Sequence, residues 1–156
     1  MAVRWANVPI PETYVAALIG AAVMHLIAPI RVPLSPSTRL VGWPMLAGGI
    51  GMAAWAVVSA GDSDVERESE LVSTGAYAVS RNPMYFGWSA AVVGLAAIRR
   101  DAWLLSAWLL ATRALHDEVL GEEGRLSERF GDAYRAYRHL VPRYLLLRRR
   151  PRGAAS

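Results

Sequence analysis

The chain has 156 residues, room for about one domain, and over half of them are hydrophobic. Its mean hydropathy is positive (+0.24) although 19% of its residues are charged, so the charges must be segregated, which argues for a small multi-span membrane protein with a polar cap. The absence of Cys excludes disulfides, thiolate metal sites and Cys nucleophiles; the net charge of +4 rests on 17 Arg with no Lys, and no aromatic-interleaved basic patch points to nucleic acid.

In chain order, the N-terminus lacks the basic, apolar and small-residue pattern of a cleaved signal, so the first span is expected to stay in the protein. That span, 11–31, is apolar except for His25 and ends at Pro29 and Pro33. A turn-like Pro-Leu-Ser-Pro-Ser-Thr segment leads to the clearest span, 40–60, which carries no charge. Gly42, Gly48, Gly49 and Gly51 within it are small residues that let another helix approach closely. Residues 61–81 are polar and of both signs. Asn82-Pro83 then reads as a helix start, because an Asn side chain caps an orphan N–H and Pro has none to satisfy. The third span, 83–98, follows and reverses at Arg99-Arg100-Asp101.

The fourth apolar run, from Ala102, has only 11 uncharged residues and must continue to about residue 117 to cross. That places Arg113, His116, Asp117 and Glu118 at or near membrane depth, where ionisable groups usually mark a cavity. Glu122 to Tyr144 is expected to lie on the membrane surface as helix and turn, broken at Phe130-Gly131-Asp132. Four spans put both termini on one side with 13 of the 17 Arg, against Arg31, Arg39, Arg99 and Arg100 opposite, so both termini are expected to be cytoplasmic. The expected fold is an all-α polytopic bundle with a C-terminal cytoplasmic cap, its polar segments 61–85 and 118–144 closing over one another.

Glu118 and Glu122, four apart, stack on one helix face and repel unless a cation lies beside them. A solvated acidic face is the simpler reading from spacing alone; a bound ammonium or sulfonium is the functional one. Tyr77, Tyr85 and Trp88 read as an interfacial aromatic belt or, more sharply, as walls around a cationic centre. His25, His116 and His139 lack metal-ligand spacing, so no metal is expected.

Two blocks together carry a resemblance. Gly75-Ala-Tyr77 and Arg81-Asn82-Pro83-Met84-Tyr85 with Gly87, then Glu122-Glu123, Leu126, Phe130-Gly131, Tyr134, Tyr137 and Val141-Pro142-Arg143, resemble the isoprenylcysteine carboxyl methyltransferase family of integral membrane enzymes, relatives of phospholipid methyltransferases. The resemblance covers about residues 61–144. It implies S-adenosylmethionine at the cytoplasmic side, with Ser69, Glu70, Leu71 and Val72 along the adenosine, and Tyr77, Asn82, Pro83, Met84, Tyr85 and Glu122 binding the cofactor. The helix start at Asn82 suits the cofactor carboxylate and Glu122 its ammonium.

Two departures stand out. The family's commonest form has His at the position of Asn82, and its eukaryotic members have a substrate-binding Arg at that of Glu118. Arg113 is then the candidate for holding a substrate anion, and Glu118 for a general base, its pKa raised by partial burial and by Glu122. The expected activity is methyl transfer to a lipophilic acceptor that enters from the membrane. The alternatives are an NADPH-dependent sterol-type reductase and a non-catalytic membrane scaffold.

Overall fold

In the computed structural model, which describes residues 12–61 and 71–145, four helices carry the fold: α1 (Glu12–Ile27), α2 (Thr38–Ala60), α3 (Pro83–Arg99) and α4 (Ala102–Leu140). A 3₁₀ turn, Gly75–Ala78, precedes α3. Among the described residues the regular structure is helical, with an isolated antiparallel bridge between Arg31 and Asp101. The expected all-α class is observed.

Local chemistry explains the boundaries. Ser35-Pro36-Ser37 turns the chain into α2, and Thr38 Oγ1 donates to the Ser35 carbonyl at 2.7 Å. Pro83 occupies the first turn of α3, where its missing N–H costs nothing. At the far end of α3, Arg100 adopts a left-handed conformation (φ 54°), which reverses the chain within one residue. Asp101 then caps α4, its Oδ1 accepting from Trp103 N–H at 2.9 Å and Leu104 N–H at 3.3 Å. Val32 N–H donates to the Arg100 carbonyl at 2.8 Å and Ala102 N–H to the Ile30 carbonyl at 3.1 Å, which ties the loop after α1 to this corner.

The α2–α3 pair is held by glycine. A Cβ at Gly49 would lie 2.5 Å from the Ala91 nitrogen and 2.6 Å from the Gly87 carbonyl oxygen. One at Gly94 would lie 2.5 Å from the Leu46 nitrogen and 2.7 Å from the Gly42 carbonyl oxygen. The backbones therefore touch along two helical turns, an approach that only glycine permits. Gly42 and Gly49 meet the expectation drawn from the sequence. Gly48 and Gly51 do not, having nothing within 4 Å, because they fall on the opposite side of α2. On the other flank, Tyr14 of α1 is buried with Val92, Ala111, Leu115 and Val119, its hydroxyl 3.0 Å from Ser89 Oγ.

Two further expectations change. The polar C-terminal third is not a separate surface cap: α4 runs 39 residues, and its departure from helical geometry falls at Gly131 (φ 52°, ψ −119°), where the break was expected. Nothing in 117–130 stops a helix, since Gly121 and Gly124 weaken it by only about 1 kcal/mol each. And among the described residues only α2 is long and apolar enough to cross a membrane. At 16 and 17 residues, α1 and α3 span about 25 Å, and α4 has the length but becomes charged beyond its first three turns.

Candidate cofactor site

The two polar blocks meet at the N-terminus of α3. The 3₁₀ turn docks on the last turn of α2, where Ser59 Oγ accepts from Ala76 N–H at 2.9 Å and donates to the Trp55 carbonyl at 2.7 Å. Gly75 (φ 59°) lies so close to Ser59 that any side chain there would collide with it. From the other direction, the strap after α4 folds back: Arg81 N–H donates to the Pro142 carbonyl at 2.9 Å, and Ser80 Oγ to the Arg143 carbonyl at 3.0 Å. Tyr137 donates to the Tyr77 carbonyl at 2.7 Å, so the polar end of α4 is bolted to the segment before α3.

Beneath these contacts lies a buried charge cluster. Glu123 receives Arg143 through two hydrogen bonds of 2.8 Å and Arg81 Nη1 at 2.8 Å, with side-chain exposures of 8% for Glu123 and 9% for Arg81. Burial pushes the Glu123 carboxyl up, but the Arg143 hydrogen bonds and the Arg81 charge outweigh it and hold the group below its ordinary value. Arg81 also donates to the Tyr134 hydroxyl at 3.3 Å.

Against this cluster opens a hollow of about 40 Å³ lined by Tyr77, Arg81, Asn82, Pro83, Met84, Tyr85 and Glu122. Six of its seven lining residues are among those expected from the sequence; Arg81 is the addition. The Arg81 Nε is buried without a partner, an orphaned donor beside the hollow. The first N–H groups of α3, those of Met84 and Tyr85, are the further donors a helix start leaves unpaired. Glu122 lines the same hollow. Burial, and secondarily the Glu122 charge, pushes the Tyr77 hydroxyl up to about 12, so Tyr77 is neutral and presents an uncharged ring.

Within the lining one expected role changes, that of Asn82, and the remaining expected residues fall elsewhere. Asn82 occupies the N-cap position but its side chain does not cap: its backbone N–H is taken by Ser80 Oγ at 3.1 Å, and its amide reaches the Arg143 carbonyl at 3.5 Å. Leu71 packs against the Tyr134, Tyr137 and Val141 cluster, and Val72 does not line the hollow. Ser69 and Glu70 lie outside the described residues. Glu118 is exposed, not partly buried as expected; at the start of α1, Thr13 Oγ1 donates to it at 3.4 Å. Arg113 is also exposed; nine residues before Glu122, it sits half a turn round α4 from the hollow.

The donor set fits one end of the expected cofactor. A carboxylate matches Arg81 Nε and the α3 start, an ammonium matches Glu122, and the Tyr77 and Tyr85 rings suit an adjacent cation. At little more than the space of one water, ~30 Å³, the hollow seats a charged terminus and not a whole nucleoside.

The sequence model of the phospholipid methyltransferase family matches residues 38–133, from the start of α2 past the kink of α4. The chain belongs to that family. No curated protein and no solved structure matches it. As a phospholipid methyltransferase family member it is a membrane-associated methyltransferase directed at lipid-type substrates, which favours methyl transfer over the reductase alternative. The family match contains the whole lining of the hollow but ends before Tyr134, Tyr137 and Arg143, the residues that brace it from the C-terminal side.

Proposed function

We propose that this phospholipid methyltransferase family protein binds S-adenosylmethionine at the N-terminus of α3 and methylates a lipophilic acceptor at the cytoplasmic face of the cell membrane. The observation that carries this is one hollow lined by a guanidinium with an orphaned N–H, a helix start, a carboxylate and an uncharged tyrosine. Arg81 and the backbone of Met84 and Tyr85 hold the cofactor carboxylate, and Glu122 its ammonium. The hollow would take this amino-acid end, and Leu71 and Val72 stay candidates for contact with the adenosine.

When bound, the cofactor supplies a methyl on a sulfonium; as the acceptor's lone pair forms its bond to that carbon, the carbon–sulfur pair returns to sulfur. The chain's task is to hold donor and acceptor in line and to exclude water. An amine or hydroxyl acceptor must also lose a proton. Glu118, one turn before Glu122 on the same face of α4 and open to solvent, is the group we assign to take it. Arg113 stays a candidate for contact with an anionic acceptor headgroup outside the hollow.

A multi-pass arrangement is supported by an inverted interior. Many of the buried helix positions are small, among them Ala21, Ala53, Ala56, Ala91, Ala96, Ala107 and Ala111, while Leu26, Leu40 and Leu110 are 83%, 77% and 72% exposed. Large apolar side chains turned outward over small ones is the pattern of helices solvated by lipid.

Calorimetric titration of S-adenosylmethionine into the detergent-purified protein tests the reading. Saturable binding is expected, weakened at least about tenfold by Glu122→Ala through loss of a charge-assisted contact. An unchanged affinity in that variant removes Glu122 from the site, and no binding at all leaves the scaffold alternative standing.

A further inference from the structure

At the opposite end of the molecule lies a second and larger hollow, of about 320 Å³, with room for about ten groups the size of a water. Ala21, Ala22 and Leu26 of α1, Leu95 of α3 and Leu104 of α4 form its walls. Its lining also carries an ionic group, His25, Arg99 and Asp101. Asp101, 2% exposed, spends Oδ1 on capping α4, and its Oδ2 lies 2.8 Å from His25 Nδ1 and 4.0 Å from Arg99 Nε. Arg99 Nη2 lies 3.4 Å from His25 Nε2.

Charge decides what this hollow takes. Arg31, Arg39, Arg99 and Arg100 gather at this end, where Arg39 Nε donates to the Ile98 carbonyl and Arg100 Nη1 to the Leu34 carbonyl. Asp101 is the carboxylate set among them, and it is already engaged, whereas the Arg99 side chain is 51% exposed. The apolar walls adjoin Leu26 and Ile27, which are 83% and 72% exposed, so the hollow continues into the outward apolar surface of α1. An anion with a hydrocarbon chain matches both halves: a cation at the mouth and one helical turn of apolar wall, about 6 Å, beneath it.

We propose that this hollow seats an anionic phospholipid, its phosphate against Arg99 and His25 and the start of one acyl chain along Ala22, Leu26, Leu95 and Leu104. The inference rests on the reading that α1, α3 and α4 lie in the bilayer. It also gives Arg99, one of the four arginines at this end that oppose the charge bias orienting the chain, a counter-ion. The 17 residues of α3 separate the hollow from the cofactor site by about 25 Å, so the lipid held here is a bound companion and not the methyl acceptor.

The test uses the whole chain in lipid nanodiscs of phosphatidylglycerol or phosphatidylcholine, with thermal stability and the phosphatidylglycerol retained after detergent extraction as readouts. The wild type is expected to be more stable in phosphatidylglycerol and to retain one copy. Arg99→Gln, which removes the cation, and Ala22→Phe, which fills the hollow and keeps the charge, should each reduce retention about tenfold. Arg39→Gln, at the same end but outside the hollow, should not, and S-adenosylmethionine affinity should be unchanged in all three. Wild-type retention in Arg99→Gln or in Ala22→Phe overturns the proposal, as does inorganic phosphate reproducing the stabilisation in phosphatidylcholine. Release of the wild type from membranes by alkaline carbonate would instead sink the bilayer reading, while a chain that stays in the membrane without retaining phosphatidylglycerol sinks only the lipid site.

Discussion

Glu122 and Glu123 are adjacent in the chain, and the turn of a helix gives them different tasks. Glu123 is buried between two guanidinium groups, whereas Glu122 lines the hollow beside Tyr77. Glu123→Gln should therefore lower the melting temperature sharply, since removing one partner from a buried charge cluster costs about 3–5 kcal/mol. Glu122→Gln should leave melting nearly unchanged and reduce cofactor affinity; thermal denaturation and calorimetry on the pair separate the roles. Glu123 also sets an acid limit. Because its folded pKa is depressed, its stabilisation is full above the unfolded value of about 4.3 and is lost as pH falls through the folded value. Melting followed downward from neutral pH should show this loss in the wild type and not in Glu123→Gln.

For the helices, the decisive contact is backbone against backbone between α2 and α3. Gly49→Ala would push a methyl group against the Ala91 nitrogen, so a loss of about 1–3 kcal/mol is expected from overpacking. Gly48→Ala, one residue earlier with open space around it, should be neutral or stabilising by up to about 1 kcal/mol. Equal effects from the two variants in thermal denaturation would mean that the helices do not touch there. The consequence reaches the site, because α2 supplies the Ser59 hydroxyl that anchors the 3₁₀ turn and with it Tyr77.

On the scale of the whole molecule, the chain has one end rich in backbone-bound arginine around Asp101 and another where α4 and its strap close over the start of α3. If α1–α4 cross the membrane with the strap in the cytoplasm, the two ends differ in access. The Cys-free sequence makes this direct. Ser37→Cys should react with a membrane-impermeant thiol reagent on intact cells, and Arg138→Cys only after permeabilisation. The reverse result would invert the topology, and labelling of both on intact cells would abolish the multi-pass reading.

Helical content, the ends of the apolar runs, the break at Gly131 and six of the seven residues around the hollow were legible in the chain, because they depend on local rules: proline and glycine placement, period 3.6, and a motif confined to a few contiguous residues. Four matters depended on segments distant in sequence. Gly49 touches a backbone and Gly48 does not, a choice made by the facing helix. Arg81 turns from a motif neighbour into the orphaned donor of the hollow because Glu123, 42 residues later, fixes its guanidinium; the Arg immediately before Asn82-Pro83 was the available signal. The Asn82 amide forgoes capping for a carbonyl 61 residues away. And Glu118, one turn from Glu122, is left in the open beside the start of α1, where the strap does not cover it. Periodicity assigns residues to faces, but what occupies the space opposite each face is a property of the assembled chain.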